Sequence, residues 1–249
     1  MKFKLEICTD NIESAIVAQL AGAHRIELCN DLPEGGTTPG YGTIVSARNN
    51  LDIGIHVIIR PRGGDFLYSD SEYDIMKKDI DICSKCKVDG IVLGILRSDG
   101  SIDIERTAKL VEFAHPMPVT FHRAFDMCSD PFQGLEDVIE AGASRLLTSG
   151  QKDKAPEGAD LIRQLIQQAK DRIIIMPGSG IDDSNIEKIA RVTGAKEFHL
   201  TGRKIIDSKM IFRKQGISMG GGVAGVPEFS RMVADREKIK RIINILNLI

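Results

Sequence analysis

What the sequence lacks narrows its class before any motif is read. No stretch approaches the ~18–20 apolar residues of a membrane-spanning helix. Cysteine is sparse, and its count of five is odd, which argues against a disulfide framework and for a reducing, cytoplasmic setting. Charge of neither sign predominates: the formal net charge is −2, so neither nucleic acid nor an anionic membrane is an expected partner. The first strand-like run begins by about Phe3, leaving no room for a secretory n-region and h-region. Zinc spacings (CxxC…CxxC, HExxH), Rossmann and Walker glycine loops and low-complexity tracts are all absent. No organic cofactor is indicated.

What is present is a hydrophobic fraction of 42%, enough for one compact domain over residues 1–249, and a repeat. Gly22-Ala23-His24-Arg25-Ile26-Glu27-Leu28-Cys29 is echoed by the segments starting at Gly142 and Gly194, and more loosely by Lys87 to Gly94. Each copy reads as a helix end, with glycine in the left-handed position, running into a strand. Apolar strands alternating with amphipathic stretches indicate βα units and a parallel sheet. Strands are expected near 3–8, 25–29, 55–60, 90–94, 118–122, 145–149, 172–176 and 197–201. Helices are expected near 10–21, 41–50, 72–86, 103–114, 131–141, 156–170 and 182–193, with a last one at about 226–247. Eight of each in this length match a closed (β/α)8 TIM-type barrel, a single α/β domain. One connection, 202–225, is long for this fold, and connections of that length are usually functional or mobile.

Strand parity separates the faces. Ile26, Ile91, Leu146 and Phe198 align and would face the helices, whereas Glu27, Val92, Leu147 and His199 would face the lumen, with Cys29, Gly94, Ser149 and Thr201 above them. The same parity sends Glu6, Cys8, His56, Arg60, Thr120, His122, Met176 and Gly178 inward. Leu5-Glu6-Ile7-Cys8 and Ile26-Glu27-Leu28-Cys29 thus bring two carboxylates and two thiols to one surface of neighbouring strands, about 4.8 Å apart. Two sulfurs at that spacing can hold one soft ion. The Glu residues alternatively pair with Arg25, Arg60 or Arg145, since charges inside a fold are costly alone.

Two further motifs end strands at the mouth where barrel active sites form. Ile59-Arg60-Pro61-Arg62-Gly63-Gly64-Asp65-Phe66 offers two guanidiniums to an anion. Thr120-Phe121-His122-Arg123-Ala124-Phe125-Asp126 puts a histidine at a strand end, with Asp126 to orient it or to pair with Arg123. These segments, with Glu34-Gly35-Gly36-Thr37-Thr38-Pro39, Leu147-Thr148-Ser149-Gly150-Gln151 and the two Glu-x-Cys runs, closely resemble the CutC family of copper homeostasis proteins. The resemblance spans about residues 3–220. It implies a (β/α)8-type barrel, a cytoplasmic location, self-association and a Cu(I) site at Cys8 and Cys29.

Two functional expectations follow. In the first, Cys8 and Cys29 hold one Cu(I), with Met176 or His199 as a weak third ligand. In the second, the chain is an enzyme of isomerase- or lyase-like chemistry on a small anionic or sugar-like metabolite. Glu6, Glu27, His122 and Asp126 would be its catalytic residues, and Arg60, Arg62, Arg123 and Ser149 would bind the substrate. Ile205, Ile206, Met210, Ile211, Phe212, Ile217 and Met219, hinged on Gly220–Gly222, are expected to form either a lid on the mouth or the contact of a homodimer.

Overall fold

The computed structural model describes residues 3–217 and 226–249. Strand and helix alternate through β1 (Lys4–Thr9), α1 (Ile12–Ala21), β2 (Arg25–Leu28), α2 (Tyr41–Asn50), β3 (Gly54–Ile58), α3 (Asp70–Lys85), β4 (Gly90–Leu93) and α4 (Ile104–Ala114). They continue through β5 (Val119–Phe121), α5 (Pro131–Glu140), β6 (Arg145–Thr148), α6 (Ala159–Ala169), β7 (Ile174–Pro177), α7 (Ile186–Thr193) and β8 (Glu197–Leu200). The strands pair in parallel in the order β7-β6-β5-β4-β3-β2-β1-β8. A single parallel bridge between Gly178 and His199 brings β7 to β8. The architecture is the expected TIM-type (β/α)8 barrel.

Local chemistry sets the element ends. Asn11 caps α1 by accepting the Ser14 N–H at 2.8 Å. Gly22 ends that helix at φ 98°, a conformation that glycine adopts without steric cost. Asp130 caps α5, accepting the Phe132 and Gln133 N–H groups at 2.9 and 3.2 Å, with Pro131 in the first turn.

The faces divide as parity predicts. Ile26, Ile91, Leu146 and Phe198 belong to the continuous core between strands and helices, each fully buried. Burial of such a side chain contributes about 1.5–3 kcal/mol. Cys8, Cys29, Ile58 and Val92 form a separate small cluster inside the barrel, with Leu32 packed against it.

The chain after β8 departs from expectation. The connection expected as a loop over 202–225 begins with a strand, β9 (Arg203–Asp207), which pairs antiparallel with β10 (Ser230–Ala234). The last helix, α8 (Arg236–Leu248), therefore begins at Arg236 and not near 226. Asp235 sets that start by accepting the Glu237 N–H at 3.0 Å. Within the described part of the segment, Ile205, Met210, Ile211, Phe212 and Ile217 remain exposed. Met219 and the hinge glycines 220–222 lie outside the described residues.

Candidate metal centre

The register of the first three strands builds the site. Glu6 lies opposite Arg25, and Cys8 lies opposite Glu27; Glu27 lies opposite His56. The two Glu-x-Cys runs are thus staggered by two residues instead of lying level, as the tilt of barrel strands requires. Each carboxylate consequently gains a different neighbour. Glu6 is drawn into a lower ionic layer, and Glu27 meets a thiol.

In the lower layer, Arg25 donates to Glu6 and, at 2.7 Å, to Glu197. Arg145 donates to the same Glu197 oxygen at 2.8 Å. The Arg25 Nη2 that donates to Glu197 also reaches the Met176 sulfur at 3.2 Å, so this thioether is engaged below the thiols. All of these ionic groups are buried. A buried charge survives only when its partners replace water, and here two guanidiniums face two carboxylates.

Above them sit the soft and proton-bearing groups. The Cys8 thiol donates to Glu27 Oε2 at 3.1 Å and lies 3.6 Å from the Cys29 sulfur. Cys29 in turn donates to the Thr9 carbonyl at 3.3 Å. His199 bridges the carboxylates, with Nδ1 at 2.7 Å from Glu6 Oε1 and Nε2 at 3.8 Å from Glu27 Oε2. Ligand atoms of Cys8, Glu27 and His199 all fall within 4.8 Å of one another, and all three residues are buried.

Proton affinities follow from these neighbours. Burial works against the Glu6 charge, but Arg25, His199 and His56 outweigh it and hold its carboxyl well below the usual range. Burial, with the Glu6 charge, pushes Glu27 up. His199 is raised well above an ordinary imidazole because Glu27, Cys8 and Glu6 together overcome its burial. The hydrogen bond with Cys29, then burial and the Glu27 charge, raise the Cys8 thiol. In Cys29 the bond to Cys8 acts downward, yet burial and the Glu27 and Asp10 charges raise it overall. Without a metal, both sulfurs favour the thiol form.

The remaining candidate residues are placed differently. His122 accepts the Ala124 N–H at Nδ1 (3.2 Å), while its Nε2 has no partner among the described residues; it makes no bond to Glu27. Burial and the Arg60 charge lower it to about 3. The Asp126 carboxylate pairs with Arg123 at 2.7 Å instead of orienting His122. It also accepts from Thr148, from both the backbone and the hydroxyl of Ser149, and from Gln151 N–H. Asp126, Arg123 and Ser149 therefore form a saturated staple between the ends of β5 and β6. Arg62 is engaged by Glu72 at 2.6 Å and Asp65 at 3.0 Å. Arg60 spends its terminal nitrogens on the Glu34, Gly36 and Gly64 carbonyls.

That last set of bonds has a role at the thiols. A Cβ on Gly36, which has φ +92°, would lie 3.4 Å from Cys29 Cβ and 3.7 Å from its sulfur. By gripping the Glu34–Gly36 turn, Arg60 sets the lip over Cys29. Sequence reasoning missed this lip, and it missed Glu197 as the shared acceptor of Arg25 and Arg145. Glu197 was legible in principle, since it shares the inward parity of His199.

Comparison with known proteins decides the family. The CutC family model matches residues 3–204. The chain belongs to the CutC family. A CutC family protein of Chromobacterium violaceum is 49% identical over 238 residues, covering 96% of each chain. The copper homeostasis protein cutC homolog of Homo sapiens is 47% identical over 240 residues, 96% of this chain and 88% of the relative. The crystal structure of a CutC protein from Streptococcus agalactiae superposes with a TM-score of 0.76 at 36% identity, covering 80% of this chain and 98% of that one. No helix among the described residues is long and apolar enough to cross a membrane.

Proposed function

We propose that the chain serves copper homeostasis by holding Cu(I) as cargo at the Cys8 and Cys29 thiolates. The observation that carries this reading is the 3.6 Å separation of the two sulfurs inside the barrel, with Glu27 and His199 beside them. Thiolates are soft donors that select Cu(I). Glu27, which already accepts from the Cys8 thiol, is the base through which that proton leaves when the sulfur binds metal. His199, once its Nε2 gives up its proton, is the third donor of the set, and Met176 is not, since Arg25 engages its sulfur. Relatives named as copper homeostasis proteins support the reading. All five cysteines are free, which suits a cytoplasmic protein. We also assign the chain a homodimeric state, supported by the exposed apolar run from Ile205 to Ile217.

Anaerobic titration of Cu(I) against a competing chelator tests the site. Wild type should take up one ion per chain, and the Cys8→Ser/Cys29→Ser double variant should take up none. Equal uptake by both proteins refutes the thiolate site.

A further inference from the structure

Beside the thiols, three buried polar atoms have no hydrogen-bond partner among the described residues: Arg60 Nε, His122 Nε2 and the Tyr68 hydroxyl. Their side chains belong to residues that are only 5%, 5% and 3% exposed. Leaving one such group unpaired costs about 1–3 kcal/mol, so three together in one region call for a common partner. They do gather in one region. The Phe66 ring lies 5.1 Å from the Arg60 guanidinium carbon and 5.1 Å from the His122 ring centre. Tyr68 follows Phe66 by two residues, and its phenol lies near enough to the Arg60 guanidinium for both the charge and the N–H donors to act on it; the same charge acts on His122.

The chemistry of the partner follows from what each atom offers. His122 Nδ1 accepts the Ala124 N–H, so the proton of the neutral ring is on Nε2 and that atom is a donor. Arg60 Nε is a donor always, and the Tyr68 hydroxyl donates as readily as it accepts. The other nitrogens of Arg60 bond only to neutral carbonyls, so its positive charge meets no carboxylate among the described residues. Three donors around an uncompensated cation fit an oxyanion. The fold also reserves space for this histidine. A Cβ on Gly94 would stand 2.5 Å from His122 Nδ1, so only glycine lets the ring lie against the end of β4.

We propose that Arg60, His122 and Tyr68 form a binding site for a small oxyanion, the carboxylate or phosphate group of a metabolite, separate from the thiols and adjoining them at the barrel mouth. The site uses neither Cys8 nor Cys29 and does not rest on the copper reading. Arg60 belongs to both places, holding the lip over Cys29 with its terminal nitrogens and presenting Nε to the anion. Entry requires the 61–68 loop, which carries Phe66 and Tyr68, to lift.

The test uses the full chain, with sodium phosphate and sodium acetate as probes and sodium chloride at matched ionic strength as the reference. The Arg60 Nε–H and His122 Nε2–H resonances of the ¹⁵N-labelled protein should move with one of the two probes and stay put in chloride. Movement with phosphate alone identifies a phosphate group, and movement with acetate alone a carboxylate. Tyr68→Phe keeps the ring and removes only the hydroxyl, and should weaken binding of the active probe about tenfold, the equivalent of one charge-assisted hydrogen bond. Resonances unmoved by both probes, or moved equally by chloride, overturn the proposal and leave these donors to buried water. Unchanged affinity in Tyr68→Phe combined with unmoved Arg60 and His122 signals overturns it as well, by placing the anion elsewhere.

Discussion

At the residue scale, two of the three buried histidines of the lumen, His56 and His122, weaken the fold in acid. Burial, then the Arg60 charge, lowers His122 to about 3. Burial, then the Arg25 and Arg145 charges, lowers His56 to about 4 against the pull of Glu6. Both would titrate near 6.5 in the unfolded chain. Between those values the unfolded state binds more protons than the folded one, so stability falls as pH falls. The loss begins below about 6.5 and ends at about 4 for His56 and about 3 for His122. Each contributes a slope of up to about 1.4 kcal/mol per pH unit. Urea midpoints measured from pH 7 down to about 4 should show a shallower acid decline in His122→Gln than in wild type. An identical slope would mean that His122 is protonated in the native state. The inward parity of both histidines is readable from sequence, because side chains alternate with a fixed period. Their partners are not, because partnership depends on the stagger between strands.

At the element scale, β4 is shaped by what it omits. Gly90 lies on its inward face and Gly94 just past its end, and a Cβ would stand 2.6 Å from His56 Nε2 at the first and 2.5 Å from His122 Nδ1 at the second. Gly94→Ala should therefore cost about 1–3 kcal/mol as the ring and Ala124 are displaced. Gly42→Ala is the matched control: it lies in α2 with nothing within 4 Å of the added carbon. Helix propensity should make it neutral or stabilising by up to about 1 kcal/mol. Chemical denaturation of the two variants checks both signs. The eight barrel strands were legible because apolar runs alternate with amphipathic stretches, with left-handed glycines marking the entry to β2, β6 and β8. The β9–β10 hairpin was not, since its two strands pair across a long separation and neither carries a hairpin turn signal. Ser230 to Ala234 reads equally well as the start of an amphipathic helix. Only the Asp235 cap marks where α8 truly begins.

At the scale of the whole molecule, the exposed apolar run is the feature that a lone barrel does not use. Ile211 is fully exposed and Phe212 is 73% exposed. Light scattering should report about twice the 27.3 kDa chain mass, and Ile211→Ser/Phe212→Ser should halve it. A dimer that persists in that variant moves the contact to another face.

The barrel is also closed unevenly. Seven neighbouring strand pairs are joined by extended ladders, but β7 and β8 meet through one bridge, and its partner on β8 is His199. The same residue leans on Glu6 of β1 and Glu27 of β2. Cu(I) held by Cys8 and Cys29, with His199 as third donor, would act on this cask as a hoop, drawing β1, β2 and β8 together beside the joint that a single bridge closes. Loading would then be felt as a tightening of the whole wall, since whatever binds the closed form alone holds it closed.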